Sequence, residues 1–211
     1  MISPEQKILL IISAYLLGSL SISIIICKIK KIDIRAIGSG NAGATNTLRA
    51  LGKKYAVVVL IADIIKGIIP TMIASNLSPD SLTLPMLCAF AVVIGHVFPI
   101  YFSFKGGKGA ATIIGTIIII FPIGALICFI VWISAIILTG YVGLATILAA
   151  IIFPVSILIL GEITLIYFGI TAMLFIIIAH HKNFTRLING NENRFNKIYI
   201  FNSNSIWRSK K

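Results

Sequence analysis

Charge is scarce in this sequence. Of 211 residues only 11% are Asp, Glu, Lys or Arg, and just 6 are acidic. So little charge cannot cover a soluble domain of this length. The carboxylates are also scattered. Asp33, Asp63 and Asp80 lie far apart in the sequence, which argues against a phospho-alcohol transferase that holds a metal on clustered aspartates. Cysteine is rare as well. Cys27, Cys88 and Cys128 are odd in number and sit in apolar stretches. They have neither disulfide nor metal-ligand spacing and read as small core residues. No metal and no cofactor is expected. Strict apolar–polar alternation is missing, which argues against a transmembrane barrel. No small-residue cleavage site follows the first apolar run, so that run is expected to stay as a span and not to be removed as a leader.

Apolar sequence is abundant: 58% of residues are hydrophobic and the mean hydropathy is +1.05. A lipid-solvated backbone must close its own hydrogen bonds, and helices do so most simply. The runs predict spans over Lys7–Cys27, Tyr55–Ser75 and Leu82–Phe104. The next run, Ala110–Thr139, is too long for one ordinary span at about 1.5 Å rise per residue. Pro122 and Gly124 divide it into a short fourth span and a fifth. A sixth covers Leu144–Leu160, and a seventh ends near Ala179.

Charge tests this division. The net charge of +12 does not mark a nucleic-acid binder, because the cations sit in short loops between apolar runs. With seven spans, 16 of the 18 Lys and Arg fall on one side, all but Lys7 and Lys66. That side is expected to be cytoplasmic. The expectation is an all-α integral membrane bundle of about seven transmembrane helices, with the N-terminus outside and the C-terminus cytoplasmic. One membrane-embedded domain is expected over 1–193, followed by a basic cytoplasmic tail over 194–211.

This topology puts three polar segments on one face. The first runs from Gly38 to Arg49 and carries Ser39, Asn41, Thr45 and Asn46 among glycines. Glycine lets backbone approach a ligand, Ser, Thr and Asn supply neutral donors, and the planar guanidinium of Arg49 suits phosphate. The second joins Gly95-His96-Val97-Phe98-Pro99 to Phe104-Lys105-Gly106-Gly107-Lys108-Gly109, directly before an apolar helix. Amides at a helix N-terminus and two ammonium groups make an anion site. It is not a Walker A loop, because Gly109 follows Lys108 where Ser or Thr is required. The third begins at His180 and contains Asn183, Arg186 and Glu192. In a helix, His180, Asn183 and Arg186 share one face, and Glu192 is placed to orient a cation. A linker or a positive-inside anchor accounts for the cations of these segments but not for their glycines.

Asp63 and Lys66 stand three residues apart inside the second span. Charges there are costly, so a mutual ion pair is expected, with an ion or proton pathway of a transporter or channel as the alternative. His96, near a span end, reads equally as a structural hydrogen-bonding group or as a ligand group. Polar groups concentrated on one face favour interfacial enzyme chemistry over transport.

Taken together, the three segments resemble the bacterial acyl-phosphate:glycerol-3-phosphate acyltransferase family. The resemblance is carried by Gly38–Asn46 with Arg49, by Gly95–Pro99 and Phe104–Gly109, and by His180, Asn183, Arg186-Leu187 and Gly190–Glu192. Asp63, Lys66 and Gly67 also fit. Ala42, Ala110 and His181 depart from the usual proline, valine and Arg or Lys. The resemblance implies acyl transfer from acyl phosphate to the 1-hydroxyl of glycerol-3-phosphate, giving lysophosphatidate and phosphate. It further implies seven helices in the bacterial inner membrane, a site facing the cytoplasm, contact with membrane lipid, and functional cooperation with the enzyme that makes acyl phosphate. Ser39, Arg49, Lys108, His180 and Asn183 are the expected glycerol-3-phosphate pocket. Thr45 and the Lys105–Gly109 amides are expected at the donor phosphate. Asn41, Asn46, His96 and Arg186 complete the expected binding set, and His180, Lys108 and Arg49 are the expected catalytic groups.

Overall fold

The computed structural model describes residues 2–195. The stretch 196–211, most of the expected basic tail, lies outside the described residues. The described chain is helical throughout, without a strand, and divides into two compact units, Met1–Pro122 and Ile123–Lys211.

The first unit begins with α1 (Pro4–Gly18), opened by a capping box in which Ser3 and Gln6 satisfy each other's backbone N–H, with Pro4 in the first turn. The apolar run then breaks at Ser19–Ser21 and resumes as α2 (Ile22–Ile29), where the Ser21 hydroxyl accepts from the Ile24 N–H. A 3₁₀ turn at Ile34–Ala36 leads to α3 (Ala44–Leu51), α4 (Lys53–Leu77), α5 (Thr83–Val97) and α6 (Ala110–Ile120).

Small residues set the spacing of these helices. A Cβ on Gly18 of α1 would lie 2.1 Å from the Val92 carbonyl oxygen of α5, and one on Gly95 would lie 2.2 Å from that of Tyr15. The α4–α6 pair repeats the device. Gly67 faces the Thr112 carbonyl and Gly115 that of Ile64, each with 2.2 Å to an added Cβ. Lipid is as apolar as leucine, so helices in it associate by such close backbone approach and not by expelling water.

The second unit holds α7 (Pro122–Thr139), α8 (Val142–Ile159), α9 (Ile166–Ala179) and α10 (His181–Ile188). The break before α7 falls where expected, at Phe121-Pro122, since proline cannot continue the ladder of α6. Trp132 donates to Thr146 at 3.3 Å. The Phe153 and Phe168 rings meet edge to face 5.9 Å apart, joining α8 to α9.

Five segments are long and apolar enough to cross a membrane: Pro4–Ile29, Lys53–Leu77, Thr83–Phe102, Pro122–Thr139 and Val142–Ile159. The α9–α10 pair, bent by 56°, is a sixth if counted as one span. All seven expected runs are helical, but α6 has only 11 residues. It rises about 16 Å, roughly half the hydrocarbon thickness. The outward faces carry large apolar side chains, with Ile159 77% and Tyr167 82% exposed, as lipid contact requires.

Candidate functional site

In the first unit, the Gly38–Arg49 segment is held by a side chain that reads from sequence as a ligand group. Asn46 is 1% exposed. Its Oδ1 accepts the Ser39 N–H at 3.0 Å, and its Nδ2 donates to the carbonyls of Ile34 and Ile37 at 2.9 and 2.8 Å. Both amide hydrogens are therefore committed to backbone. Gly38 makes this possible: its φ is +56°, and a Cβ there would lie 2.5 Å from Asn46 Oδ1 and 3.1 Å from Arg49 Cδ. Arg49 thus runs past a bare glycine and is itself exposed, while Ser39 and Thr45 are half-buried. Beneath them, Ile24, Cys27, Ile34 and Ala42 form a small apolar core. The Ser23 and Thr47 hydroxyls pair at 2.9 Å and fix α2 to α3.

The second motif packs directly on the first. Arg35, absent from the expected set, donates from Nη2 to the carbonyls of Phe102 and Lys105 at 3.2 and 2.7 Å. A Cβ on Gly107 would lie 2.8 Å from the Ala42 carbonyl oxygen. Nothing in the spacing of Arg35 announces this role, because its acceptors lie far along the chain.

Ser103 and Phe104 take left-handed backbone, φ 56° and 57°, before the Lys-Gly-Gly-Lys-Gly turn. The Lys105, Gly106 and Gly107 N–H groups donate to the carbonyls of Phe102, Val97 and His96 at 3.2, 3.0 and 3.1 Å. Those three amides are spent on closing the turn, which corrects the expectation that they face an anion. Gly109, at φ +83°, caps α6, and the Ile113 N–H is the first to bond one turn back, to the Gly109 carbonyl at 2.8 Å. The Gly109, Ala110, Ala111 and Thr112 amides therefore have no acceptor within the helix.

His96, a proposed ligand group by sequence, is 5% exposed. Its Nδ1 lies 3.4 Å from Asp63 Oδ1, and Asp63 pairs with Lys66 at 2.9 Å. The expected intramembrane ion pair is thus formed, with Asp63 3% and Lys66 5% exposed.

In the second unit the third motif spans the α9–α10 bend, with His180 at the joint. His180 Nδ1 lies 2.9 Å from the Ile176 carbonyl oxygen. A carbonyl only accepts, so Nδ1 carries a proton in this contact, and in the neutral form of the ring the acceptor nitrogen is Nε2. Glu192 is the organising carboxylate. It accepts from Asn183 Nδ2 at 2.7 Å and from Arg186 Nε at 2.6 Å, one oxygen for each. Three-residue spacing on α10 puts these donors on one side. Asn183 also packs on Gly143, where a Cβ would lie 2.6 Å from Nδ2. Arg186 Nη2 is buried without a hydrogen-bond partner. Among the described residues, no three His, Cys, Asp or Glu side chains group as metal ligands.

The family profile described as glycerol-3-phosphate acyltransferase matches residues 8–190. The glycerol-3-phosphate acyltransferase of Aquifex aeolicus is 42% identical over 192 residues, covering 90% of this chain and 100% of the relative. That of Shouchella clausii is 44% identical over 194 residues, covering 89% and 95%. Two crystal structures of PlsY, an integral membrane glycerol 3-phosphate acyltransferase, are similar at 41% identity. Its glycerol 3-phosphate form gives a TM-score of 0.86 over 90% of this chain and 96% of that one. Its lysophosphatidic acid form gives 0.83 over 90% and 95%.

Proposed function

The chain belongs to the glycerol-3-phosphate acyltransferase family, and from that premise we propose that it transfers a fatty acyl group from acyl phosphate to the 1-hydroxyl of glycerol-3-phosphate. The products are lysophosphatidate and inorganic phosphate. The chain is an acyltransferase and a multi-pass membrane protein. Its site faces the cytoplasm of a bacterial inner membrane in this reading, supported by the 16 of 18 Lys and Arg that a seven-span topology puts on one side.

One observation carries the proposal. The two glycine-rich motifs of the first unit lie against each other, with Gly107 beside the Ala42 carbonyl and Arg35 bridging to Lys105. Arg49, Lys108 and the amides opening α6 thereby belong to one neighbourhood. Both substrates carry phosphate, so an acyl transferase of this kind must hold two anions close together, in surroundings where charge interactions are strengthened by partial exclusion of water. In this reading Ser39, Arg49, Lys108, His180 and Asn183 bind glycerol-3-phosphate. Thr45 and the first-turn amides of α6 bind the donor phosphate. Arg186, whose Nη2 lacks a partner, adds positive charge beside Asn183. Asn46 shapes the loop.

Acyl phosphate is a mixed anhydride with phosphate as a good leaving group. The protein's work is to align the hydroxyl with the acyl carbon, neutralise phosphate and stabilise the tetrahedral oxyanion. The hydroxyl oxygen attacks the acyl carbon, the bond to phosphate breaks, and the hydroxyl proton leaves to a base. His180, with Nε2 as its acceptor nitrogen, supplies that base on the enzyme side. A phosphate oxygen of the substrate is the competing acceptor. Transfer is direct in this reading, because no cysteine stands in the motifs and they contain no evident Ser-His-Asp set. His180→Ala separates the two bases: near wild-type turnover at saturating substrate assigns the proton to phosphate.

Purified protein given acyl phosphate, acyl-carrier protein or acyl-coenzyme A, each with glycerol-3-phosphate, tests the donor. Lysophosphatidate is expected from acyl phosphate alone. Turnover with either thioester in its absence would overturn the assignment.

A further inference from the structure

Beneath the Lys105–Gly109 turn lies a buried polar cluster that touches neither proposed substrate. Asp63 and Lys66 form an ion pair at 2.9 Å, and Lys66 Nζ also donates to the Leu20 carbonyl at 3.1 Å, in the break between α1 and α2. A buried ion pair is a poor device for stability, since desolvation offsets its attraction. Its position suggests a different use.

His96 connects the pair to the turn. The ring presents Nδ1 to Asp63 at 3.4 Å. Its other nitrogen, Nε2, would lie 2.0 Å from a Cβ on Gly107. The backbone of the same residue accepts the Gly107 N–H at 3.1 Å, and the next carbonyl, of Val97, accepts that of Gly106 at 3.0 Å. A Cβ on Gly106 would lie 2.0 Å from the His96 carbonyl oxygen. The imidazole is the floor on which the turn closes, and glycine is the residue type that fits against it.

We propose that Asp63, Lys66 and His96 are positioning residues for the Lys-Gly-Gly-Lys-Gly turn. The ion pair fixes the His96 ring, and the ring and its backbone fix the path that delivers Lys108 and the start of α6 to the donor phosphate. His96 is then not a substrate ligand. The inference rests on reading that region as the donor site.

The test uses the full chain in lipid nanodiscs. Gly107→Ala is expected to lower kcat/KM for acyl phosphate about a hundredfold, as misplacement by about an ångström does. Adding His96→Ala removes the ring that the new methyl strikes, and is expected to recover about tenfold of that loss; the Ala42 carbonyl contact limits the recovery. His96→Asn, which keeps a polar group facing Asp63, is expected to lie closer to wild type than His96→Ala. Amide exchange at Gly106 and Gly107 should quicken in His96→Ala while α4 stays protected. Should Asp63→Asn fail to fold around an unpaired Lys66, Asp63→Asn with Lys66→Met removes both charges and should show the same quickened exchange. A double variant no faster than Gly107→Ala, or unchanged exchange in the turn, overturns the proposal. If wild type ignores acyl phosphate, the donor assignment falls, and the exchange measurement still decides the positioning role.

Discussion

The two units hold their motif residues by opposite means. In the first, the groups proposed to hold anions adjoin glycine-rich loops, Arg49 on α3 after one and Lys108 before α6, and the shape of those loops depends on missing atoms. Gly38 makes room for Asn46 and Arg49, and Gly107 for His96 and Ala42. In the second, the groups ride on a regular helix and are aimed by an added charge: Glu192 takes Asn183 on one oxygen and Arg186 on the other. The first arrangement is vulnerable to a gained methyl group, the second to a lost charge. A loop built on glycine lets backbone approach a phosphate closely, while a helix fixes side-chain spacing and needs only a clamp.

The largest effect should come from the cations themselves. Arg49→Ala and Lys108→Ala are each expected to lower turnover about a thousandfold while the protein stays folded, the scale on which a transition-state donor acts. Steady-state rates beside a thermal unfolding curve check this, and wild-type rates would remove either residue from the site. Next is Gly38→Ala, which adds a Cβ 2.5 Å from Asn46 Oδ1 at a positive φ. A loss of kcat/KM of about a hundredfold is expected from the displaced loop. Smallest is Glu192→Gln. Its amide keeps one acceptor for two donors and loses the charge on both hydrogen bonds. A fall of about tenfold in kcat/KM is expected, with a stability loss of about 2 kcal/mol. If Glu192→Gln proved as damaging as Arg49→Ala, the carboxylate would be more than a clamp, and the contrast between the units would fail.

Much of this was legible in the sequence because it rests on local rules. Apolar runs gave helices, Pro122 marked the α6–α7 break, and three-residue spacing put Asn183 and Arg186 on one side of α10. The break at Ser19–Ser21 was not legible, since serine within an apolar run is compatible with an unbroken helix until its hydroxyl caps a new one. The short fourth run is helical and apolar as α6 but has only 11 residues, so length and composition alone pick out five spans, or six with the bent α9–α10 pair. The site misled where partners are distant. Asn46 looks like a ligand group until the Ile34 and Ile37 carbonyls are seen to occupy it. Gly106 and Gly107 look like amide donors until their N–H groups are found bonded to the end of α5. Arg35 gave no signal, for its acceptors come from another loop.

The central claim of the proposed function is that Arg49, Lys108 and Asn183 are all reached from one side of the membrane, the cytoplasmic one. The natural cysteines are all buried, so Arg49→Cys, Lys108→Cys and Asn183→Cys can be labelled singly with a membrane-impermeant thiol reagent in oriented vesicles. All three should react from the cytoplasmic side, and each should be shielded by glycerol-3-phosphate wherever the remaining site still binds it. Reaction of Asn183→Cys from the opposite side to Arg49→Cys and Lys108→Cys would contradict the account.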